Sequence, residues 1–235
     1  RGGSVLPAPV GDLRAAWERR GQLMEKNRRE NSLPCETIGV AGAGRGVGVT
    51  HFCVMAANYL TAVAGDETAV LEWNGSGDFG RMELACTGGV QGRRRFQVLG
   101  TDYYKGAGAG ELALCLDRYR RILIDFGELR DGVRDEFARC GKRVLIGSFS
   151  EWQWETFWGW IERGRAAEKG WILAAAFGSG ETRREVVRKL KIPVLEIPLS
   201  ADAFTVTPGT LEFFQTFFMR RQRRCCPPAH GCECG

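Results

Sequence analysis

The amino-acid sequence predicts an α/β domain, a three-layer sandwich in which a mostly parallel, twisted sheet of about seven strands lies between helices on both faces. Short apolar segments rich in β-branched residues alternate with segments of helical periodicity along most of the chain. A glycine-rich stretch, Gly42 to Gly48, joins the first strand directly to the first helix. Ligands of such sheets bind at the carboxyl ends of the strands, so we expect function at that edge.

The predicted elements follow one another as alternating strands and helices. The predicted strands cover 37–41, 68–74, 96–99, 119–125, 143–148, 171–177 and 192–198. The segments of helical character cover 50–64, 79–85, 112–116, 150–163, 181–190 and 211–221. Because a strand, a helix and a second parallel strand form the repeating unit of α/β sheets, this alternation predicts mostly parallel pairing.

Composition limits the classes of protein to which the chain can belong. Its 235 residues suffice for one α/β domain with a substantial core. Hydrophobic residues make up 44% and charged residues 26%, as in ordinary globular proteins, and the net charge is +5. Basic residues are spread along the chain apart from 93–95 and 220–224, and we predict no nucleic-acid partner. No apolar run is long enough to span a membrane.

We divide the chain into three parts. Residues 1–34 are predicted to form a helical extension or linker, 35–219 the α/β domain, and 220–235 a basic, Cys-rich mobile tail. Five cysteines lie singly among apolar segments, which is typical of reduced core thiols in a cytoplasmic protein. They are Cys35, Cys53, Cys86, Cys115 and Cys140. A zinc site in the tail is the less favoured alternative, because its ligand spacing fits no common zinc knuckle. Its candidate ligands are Cys226, His230, Cys232 and Cys234.

The stretch from Gly42 to Gly48 is interpreted as a phosphate-binding loop. Four glycines alternate there between a strand and the start of a helix. Glycine lets backbone amides curl around an anion, and the start of the helix adds the positive end of its dipole. The alternative is a turn that only packs the strand against the helix. The number of glycines favours the phosphate site.

This loop resembles the dinucleotide loop of the short-chain dehydrogenases, Gly-x-x-x-Gly-x-Gly, in full. The resemblance implies an NAD(P)-dependent oxidoreductase with Glu72, at the end of the second strand, on the ribose. That family also needs Tyr-x-x-x-Lys for proton transfer and an Asn-Asn-Ala-Gly segment. Neither occurs in this sequence. The dehydrogenase therefore stays an enzymatic alternative.

The loop also resembles that of the ParA/MinD-like P-loop ATPases, Lys-Gly-Gly-Val-Gly-Lys-Thr. Gly44 and Val49 stand where that loop has lysines, and Thr50 matches its last residue. The segment Tyr119–Asp125, in which branched apolar residues precede an aspartate, resembles the Walker B strand of the same family. Further segments follow in the family's order, so this resemblance covers most of 35–218.

The second resemblance implies a site for ATP and Mg²⁺. The nucleotide-binding residues would be Gly44, Arg45, Gly46, Val47, Gly48, Val49, Thr50 and His51. Thr50 and Asp125 would hold the magnesium ion. Glu72 and Asn74 stand where the family has two acidic residues, and we assign no catalytic residue because asparagine cannot act as a base. Without the lysines we expect weak or absent hydrolysis, although Arg45 and Arg81 are candidates to restore some positive charge.

Among ParA/MinD-like proteins, the chain looks most similar to the degenerate CpaE/TadZ-like proteins of bacterial tight-adherence pilus loci. The resemblance implies a localisation or assembly factor for pilus or secretion machinery. It further implies a homodimer in the cytoplasm, in part peripheral to the inner membrane. A scaffold that binds no nucleotide is the remaining alternative.

Two aromatic segments are candidate partner surfaces. After a capping-box pattern at Ser150, one helical stripe is expected to be core and consists of Trp154, Phe157, Trp158 and Ile161. Trp152 and Trp160 lie off this stripe, and we predict that they contact a protein partner. The closing helix carries four phenylalanines. Packing on the sheet is favoured for it, and membrane-surface contact through 211–224 is the alternative.

Overall fold

The structure, a computed structural model, describes residues 35–90, 92–162, 170–190 and 193–219. The predicted N-terminal helix, within 1–34, lies outside the described residues. So do the Cys-rich tail at 220–235, with its candidate zinc ligands, and the basic end of the segment 211–224. These expectations stay predictions.

The described strands form one sheet of eight. They are β1 (Glu36–Gly42), β2 (Thr68–Glu72), β3 (Arg95–Val98), β4 (Thr101–Tyr104), β5 (Arg121–Glu128), β6 (Lys142–Phe149), β7 (Ile172–Gly178) and β8 (Val194–Glu196). Their order is β3-β4-β2-β5-β1-β6-β7-β8, and every neighbouring pair is parallel except β3 with β4. The predicted α/β class with a mostly parallel sheet is confirmed, but the sheet has one strand more than predicted.

The additional strand is β4, which forms a hairpin with β3. Leu99 and Gly100 make the turn with positive φ angles of 49° and 84°. A turn of this kind suits the twist of the flanking strands but usually contains Asn-Gly or Asp-Gly, so Leu-Gly is a weak sequence signal. Thr101 and Tyr103 are fully buried on this strand.

Seven described helices cover the two faces of the sheet. They are α1 (Val49–Asn58), α2 (Asp78–Thr87), α3 (Ala109–Leu116), α4 (Asp131–Arg139), α5 (Trp154–Glu162), α6 (Gly180–Leu190) and α7 (Pro208–Met219). One wider π-helical turn, Tyr59–Val63, continues α1. Helix α4 was not among the predicted segments, because only two of its residues, Val133 and Phe137, pack into the core.

Two apolar clusters, one on each face of the sheet, form the core. Successive residues of a strand point to opposite faces, so on β5 Leu123 belongs to one cluster while Ile122 and Ile124 belong to the other. Helices α1, α2 and α7 contribute to the first cluster, and α3 to α6 contribute to the second. The sheet is therefore the middle layer of three, as predicted.

The closing helix α7 packs in the first apolar cluster on one face of the sheet, as the favoured prediction stated. Phe214 and Phe217 are 1% and 2% exposed, and both contact Phe52 of α1 at ring-centroid distances of 5.5 and 5.8 Å. Phe218 stacks on Tyr59 at 5.6 Å. Phe214 and Phe217 are thus covered by protein, whereas Met219 at the end of the described helix is 79% exposed. Among the described residues, no helix has the length and apolar character to span a membrane.

The tryptophan-rich segment differs from its prediction in two respects. Helix α5 begins at Trp154, and the Ser150 hydroxyl interacts with that of Ser148 at 2.8 Å and with Gln153 Oε1 at 3.4 Å, so the capping box does not form as predicted. Trp154 and Trp158, which were predicted to be core, are only half-buried. Trp160 is also half-buried and its ring lies 6.2 Å from the Trp171 ring, and its contact with a partner stays a prediction.

The remaining members of this segment divide between core and solvent. Phe157 and Ile161 are buried as predicted. Trp152 is 81% exposed, which agrees with a position off the stripe. Of the five cysteines outside the tail, Cys86 is exposed rather than a core thiol, whereas Cys53, Cys115 and Cys140 are buried.

Candidate functional site

The glycine-rich loop leaves the carboxyl end of β1 and enters α1. Gly46 and Gly48 have φ angles of 73° and 91°, a region that is strained for other residues. A Cβ atom on Gly42 would lie 2.7 Å from both the Gly44 carbonyl oxygen and Val47 Cγ2, so the loop closes tightly over the end of the strand. These glycines are required by the backbone path.

The start of α1 offers the features that bind an anion. Gly48 is its N-cap residue, and no side chain caps the helix there. The amides of the first turn of a helix have no acceptor within the helix, and they lie at the N-terminus, which is the positive end of the helix dipole. The start of α1 therefore has backbone N–H groups suited to an anion such as a phosphate.

Thr50 and Asp125 meet at the base of this loop. The Thr50 hydroxyl donates a hydrogen bond of 2.6 Å to Asp125 Oδ2. The other carboxylate oxygen accepts from the Gly127 amide at 2.9 Å and from Asn74 Nδ2 at 2.8 Å. Asp125 is fully buried, and this burial raises the pKa of its carboxyl group above the ordinary value against the opposing effect of the three hydrogen bonds.

The two candidate positions on the second strand have different environments. Asn74 lines the cleft and orients the Asp125 carboxylate. Glu72 is 2% exposed and is absent from the cleft lining. Its oxygens accept hydrogen bonds from the Ser76 hydroxyl and from the amides of Phe79 and Gly106. Glu72 thus organises the start of α2 and a neighbouring loop, and a direct role for it at the site stays a prediction.

The two positions that lack lysine supply no cation. Val49 is 7% exposed and packs in the first apolar cluster. Gly44 lies against α5, since a Cβ atom on it would be 3.7 Å from Thr156 Cγ2. Positive charge at the cleft must therefore come from other residues.

Two arginines supply positive charge to the cleft, and only Arg45 was predicted to do so. Arg45 and Arg130 both line the cleft. Arg81 pairs with Asp78 at 2.6 Å and is not part of the lining, so the structure does not place it where the sequence analysis expected. Arg130 was missed because it follows β5 in a segment that matches no motif. Its five-residue separation from Asp125 on the chain is the only signal that was available.

His51 is half-buried and also lines the cleft. Hydrogen bonds from Thr205 and the Phe204 amide lower the pKa of Asp202, and the charge of His51 contributes a smaller effect in the same direction. His51 is therefore close enough to the loop after β8 to affect Asp202. Contact between His51 and a phosphate stays a prediction.

The cleft has a volume of about 770 Å³ and lies at the carboxyl ends of β1, β2 and β5. Thr50 lines it, whereas Asp125 is fully buried and is connected to it by the hydrogen bond from Thr50. The Thr50 hydroxyl and the Asp125 carboxylate fit a magnesium ion that is bound together with a nucleotide. Hydroxyl and carboxylate oxygens 2.6 Å apart are the hard ligands that Mg²⁺ prefers. Among the described residues no group of three or more His, Cys, Asp or Glu can hold a metal ion. A cation here would thus need further oxygens, which phosphates would provide.

The strand order does not fit the dehydrogenase alternative. A dinucleotide-binding sheet places the second strand directly beside the first, so that its acidic residue reaches the ribose. Here β5 lies between β1 and β2, and Glu72 is buried away from the cleft. None of the four tyrosines, all of which the structure describes, lines the cleft. The dehydrogenase interpretation is therefore wrong in its geometry.

Comparison with known proteins agrees with this topology. No family model and no curated protein matches the sequence. Solved structures do match. A putative plasmid partition protein from Borrelia burgdorferi bound to AMPPNP has a TM-score of 0.58 at 12% identity, over 79% of this chain and 100% of that chain. The chain has the ParA/MinD fold.

Two further structures support the assignment of this ParA/MinD fold. A ParA family ATPase from Chlorobium tepidum has a TM-score of 0.53 at 13% identity, over 77% of this chain and 89% of that chain. A chain of the MinC:MinD cell division complex from Aquifex aeolicus has a TM-score of 0.51 at 12% identity, with coverages of 77% and 86%. At such identities the likeness establishes the fold alone.

Proposed function

We propose that this chain binds ATP with Mg²⁺ in the cleft beside the glycine-rich loop. The observation that carries the proposal is the 2.6 Å hydrogen bond between Thr50 and the buried Asp125 at the base of the loop. Thr50 and Asp125 would hold Mg²⁺, which would neutralise phosphate charge when bound. The AMPPNP in the Borrelia burgdorferi partition protein supports the same ligand class.

We further propose that hydrolysis is weak or absent. The missing lysines are donors that would stabilise charge on the transferring phosphoryl group, and the loss of one such donor costs about 10²- to 10³-fold in rate. Asn74 is neutral and already donates to Asp125, so it cannot take a proton from water. The remaining parts bind and orient a nucleotide without supplying a base.

A nucleotide-binding protein with little turnover is suited to act as a switch or an assembly factor. We propose a localisation or assembly role of the CpaE/TadZ type, for pilus or secretion machinery, with a homodimer as the working form. The MinC:MinD complex is a precedent for a protein partner on this fold. Trp152, with a side chain 81% exposed, is the residue that we assign to partner contact.

A ligand panel tests the binding proposal. We expect ATP with Mg²⁺ at 100 times its dissociation constant to raise the unfolding free energy by about 2.7 kcal/mol, and NADPH to leave it unchanged. Thermal unfolding measures both, and a steady-state assay should give a turnover below about one per second. Stabilisation by NADPH alone would favour the dehydrogenase, and no stabilisation by either ligand would favour the scaffold.

Partner contact through Trp152 has its own test. Trp152→Ala should leave the melting temperature nearly unchanged, because an exposed side chain contributes little to folding, but it should weaken self-association or partner capture at least about tenfold. Analytical ultracentrifugation and quantitative pull-down measure these effects. Leu199→Ala is the matched control, since Leu199 is 86% exposed. If both variants associated as strongly as the wild-type protein does, Trp152 would be removed from the proposal.

A further inference from the structure

Two arginines share one carboxylate in the cleft. Glu128 lies at the end of β5, and its Oε2 accepts hydrogen bonds from Arg130 Nη2 and Nε at 2.8 and 3.1 Å. The same oxygen accepts from Arg45 Nε at 3.3 Å. All three residues line the cleft. None of the motifs that resemble a known family includes Glu128 or Arg130.

The backbone fixes Glu128 beside the loop. In the register of β1 with β5, Gly42 is the partner of Glu128, and the Leu129 amide donates to the Gly42 carbonyl at 2.8 Å. Arg45 is part of the loop itself, and its carbonyl accepts from Gln153 Nε2 at 3.2 Å. The carboxylate and both guanidinium groups are thus attached to the two backbone segments that border the anion-binding amides.

These ion pairs are accessible to a competing anion. The side chains of Arg45, Arg130 and Glu128 are 80%, 58% and 32% exposed. Solvated pairs of this kind contribute little free energy, so they exchange readily. The hydrogen bond from Arg130, and then the nearby arginine charges, hold the pKa of Glu128 below its ordinary value, so the carboxylate is charged at neutral pH.

We propose that Arg45 and Arg130 are the phosphate-binding cations of this cleft, and that Glu128 is the resident anion that a polyphosphate must displace. A guanidinium group presents a fork of donors that matches phosphate oxygens and keeps its charge at any physiological pH. A polyphosphate offers more charge and more acceptors than one carboxylate. The inference rests on the proposed function, because the phosphates of the nucleotide occupy the same cleft.

The test compares Glu128→Gln, Arg130→Gln and wild type with two probes, ATP with Mg²⁺ and inorganic tripolyphosphate. Calorimetric titration measures the dissociation constants. Glu128→Gln should tighten binding of both probes about fivefold, because it releases the arginines. Arg130→Gln should weaken it about tenfold, because a charge-assisted hydrogen bond is lost. Glu136→Gln is the matched control, since Glu136 pairs with Arg139 outside the cleft and is 33% exposed.

A double-variant comparison separates release of the arginines from simple repulsion. In the background Arg45→Gln/Arg130→Gln, the gain from Glu128→Gln should shrink, since no guanidinium group remains to be released. An unchanged gain in that background would overturn the inference. Wild-type ATP binding that neither Glu128→Gln nor Arg130→Gln alters would overturn it too, while leaving the proposed function intact. If the variants changed tripolyphosphate binding as expected but no variant bound ATP, the inference would be supported and the proposed nucleotide would be wrong.

Discussion

Replacing Asp125 with asparagine is expected to abolish the magnesium-dependent part of stabilisation by ATP. Asparagine keeps the size of the side chain. Its single oxygen can accept from the Gly127 amide while its NH2 group donates to the Thr50 hydroxyl, but it lacks the charge that a divalent cation requires. Wild type should gain about 2.7 kcal/mol from Mg²⁺ and ATP at 100 times the dissociation constant. In the presence of ATP, the variant should have the same melting temperature with Mg²⁺ as with a chelator.

The stability of the ligand-free variant is part of this expectation. Burial raises the pKa of Asp125, so the charged carboxylate is costly there, and Asp125→Asn should be no less stable than wild type without ligand. Asp78→Asn is the control, because Asp78 is an acidic residue of the same cleft that is 42% exposed. It should keep the full effect of Mg²⁺. A full magnesium effect in Asp125→Asn would contradict the proposed metal site.

Replacing Gly147 with alanine is expected to destabilise the domain by about 3 kcal/mol. Gly147 lies in β6, and a Cβ atom on it would be 2.1 Å from Cγ of the buried Phe157 ring in α5. Neither the strand nor the ring can move without disturbing the second apolar cluster. Chemical denaturation monitored by tryptophan fluorescence measures the loss.

Two variants make this result specific to the contact. Gly132→Ala in α4 adds a methyl group where nothing lies within 4 Å, so it should be neutral or stabilising by up to about 1 kcal/mol. Phe157→Ala alone should cost about 3–5 kcal/mol. Because the clash then disappears, the double variant should cost less than the sum of the two. Additive losses would show that Gly147 has no role in seating α5.

The contact between Gly147 and Phe157 also bears on the site. It brings the start of α5 close to the loop, where Gln153 donates to the Arg45 carbonyl and Thr156 lies against Gly44. The packing of Phe157 on Gly147 thus positions a side chain that restrains the glycine-rich loop. No local pattern in the sequence reveals the hydrogen bond between Gln153 and Arg45, since residues 45 and 153 are far apart along the chain.

Most elements of the fold could be predicted because their signals are local. Buried parallel strands such as β5 and β6 are nearly continuous apolar runs, and the strand–glycine–helix succession at Gly42 has few alternative conformations. The missed elements have weak local signals. Strand β4 has only four residues after an unusual Leu-Gly turn. Helix α4 is polar apart from one narrow apolar face.

The candidate site was predictable only in part. The proximity of Thr50 and Asp125, implied by the resemblance, is confirmed as geometry, whereas magnesium binding stays a prediction. Glu72 matched a position in the motif, yet its carboxylate is used within the fold. Glu128 and Arg130 matched nothing and were missed, because a surface ion pair leaves no periodicity or spacing in the sequence.

The sequence by itself determined most of the strands and helices, where the backbone must bend at glycine, and that an aspartate follows the branched apolar residues of a buried strand. Those properties depend on neighbours within a few residues. The tertiary structure alone decided that β5 lies beside β1, which brings Asp125 to Thr50 and leaves Glu72 turned into the fold. It also decided which tryptophan is exposed and which arginines reach the cleft. Strand order and side-chain partners depend on packing between distant segments, and that packing is settled only when the whole sheet has assembled.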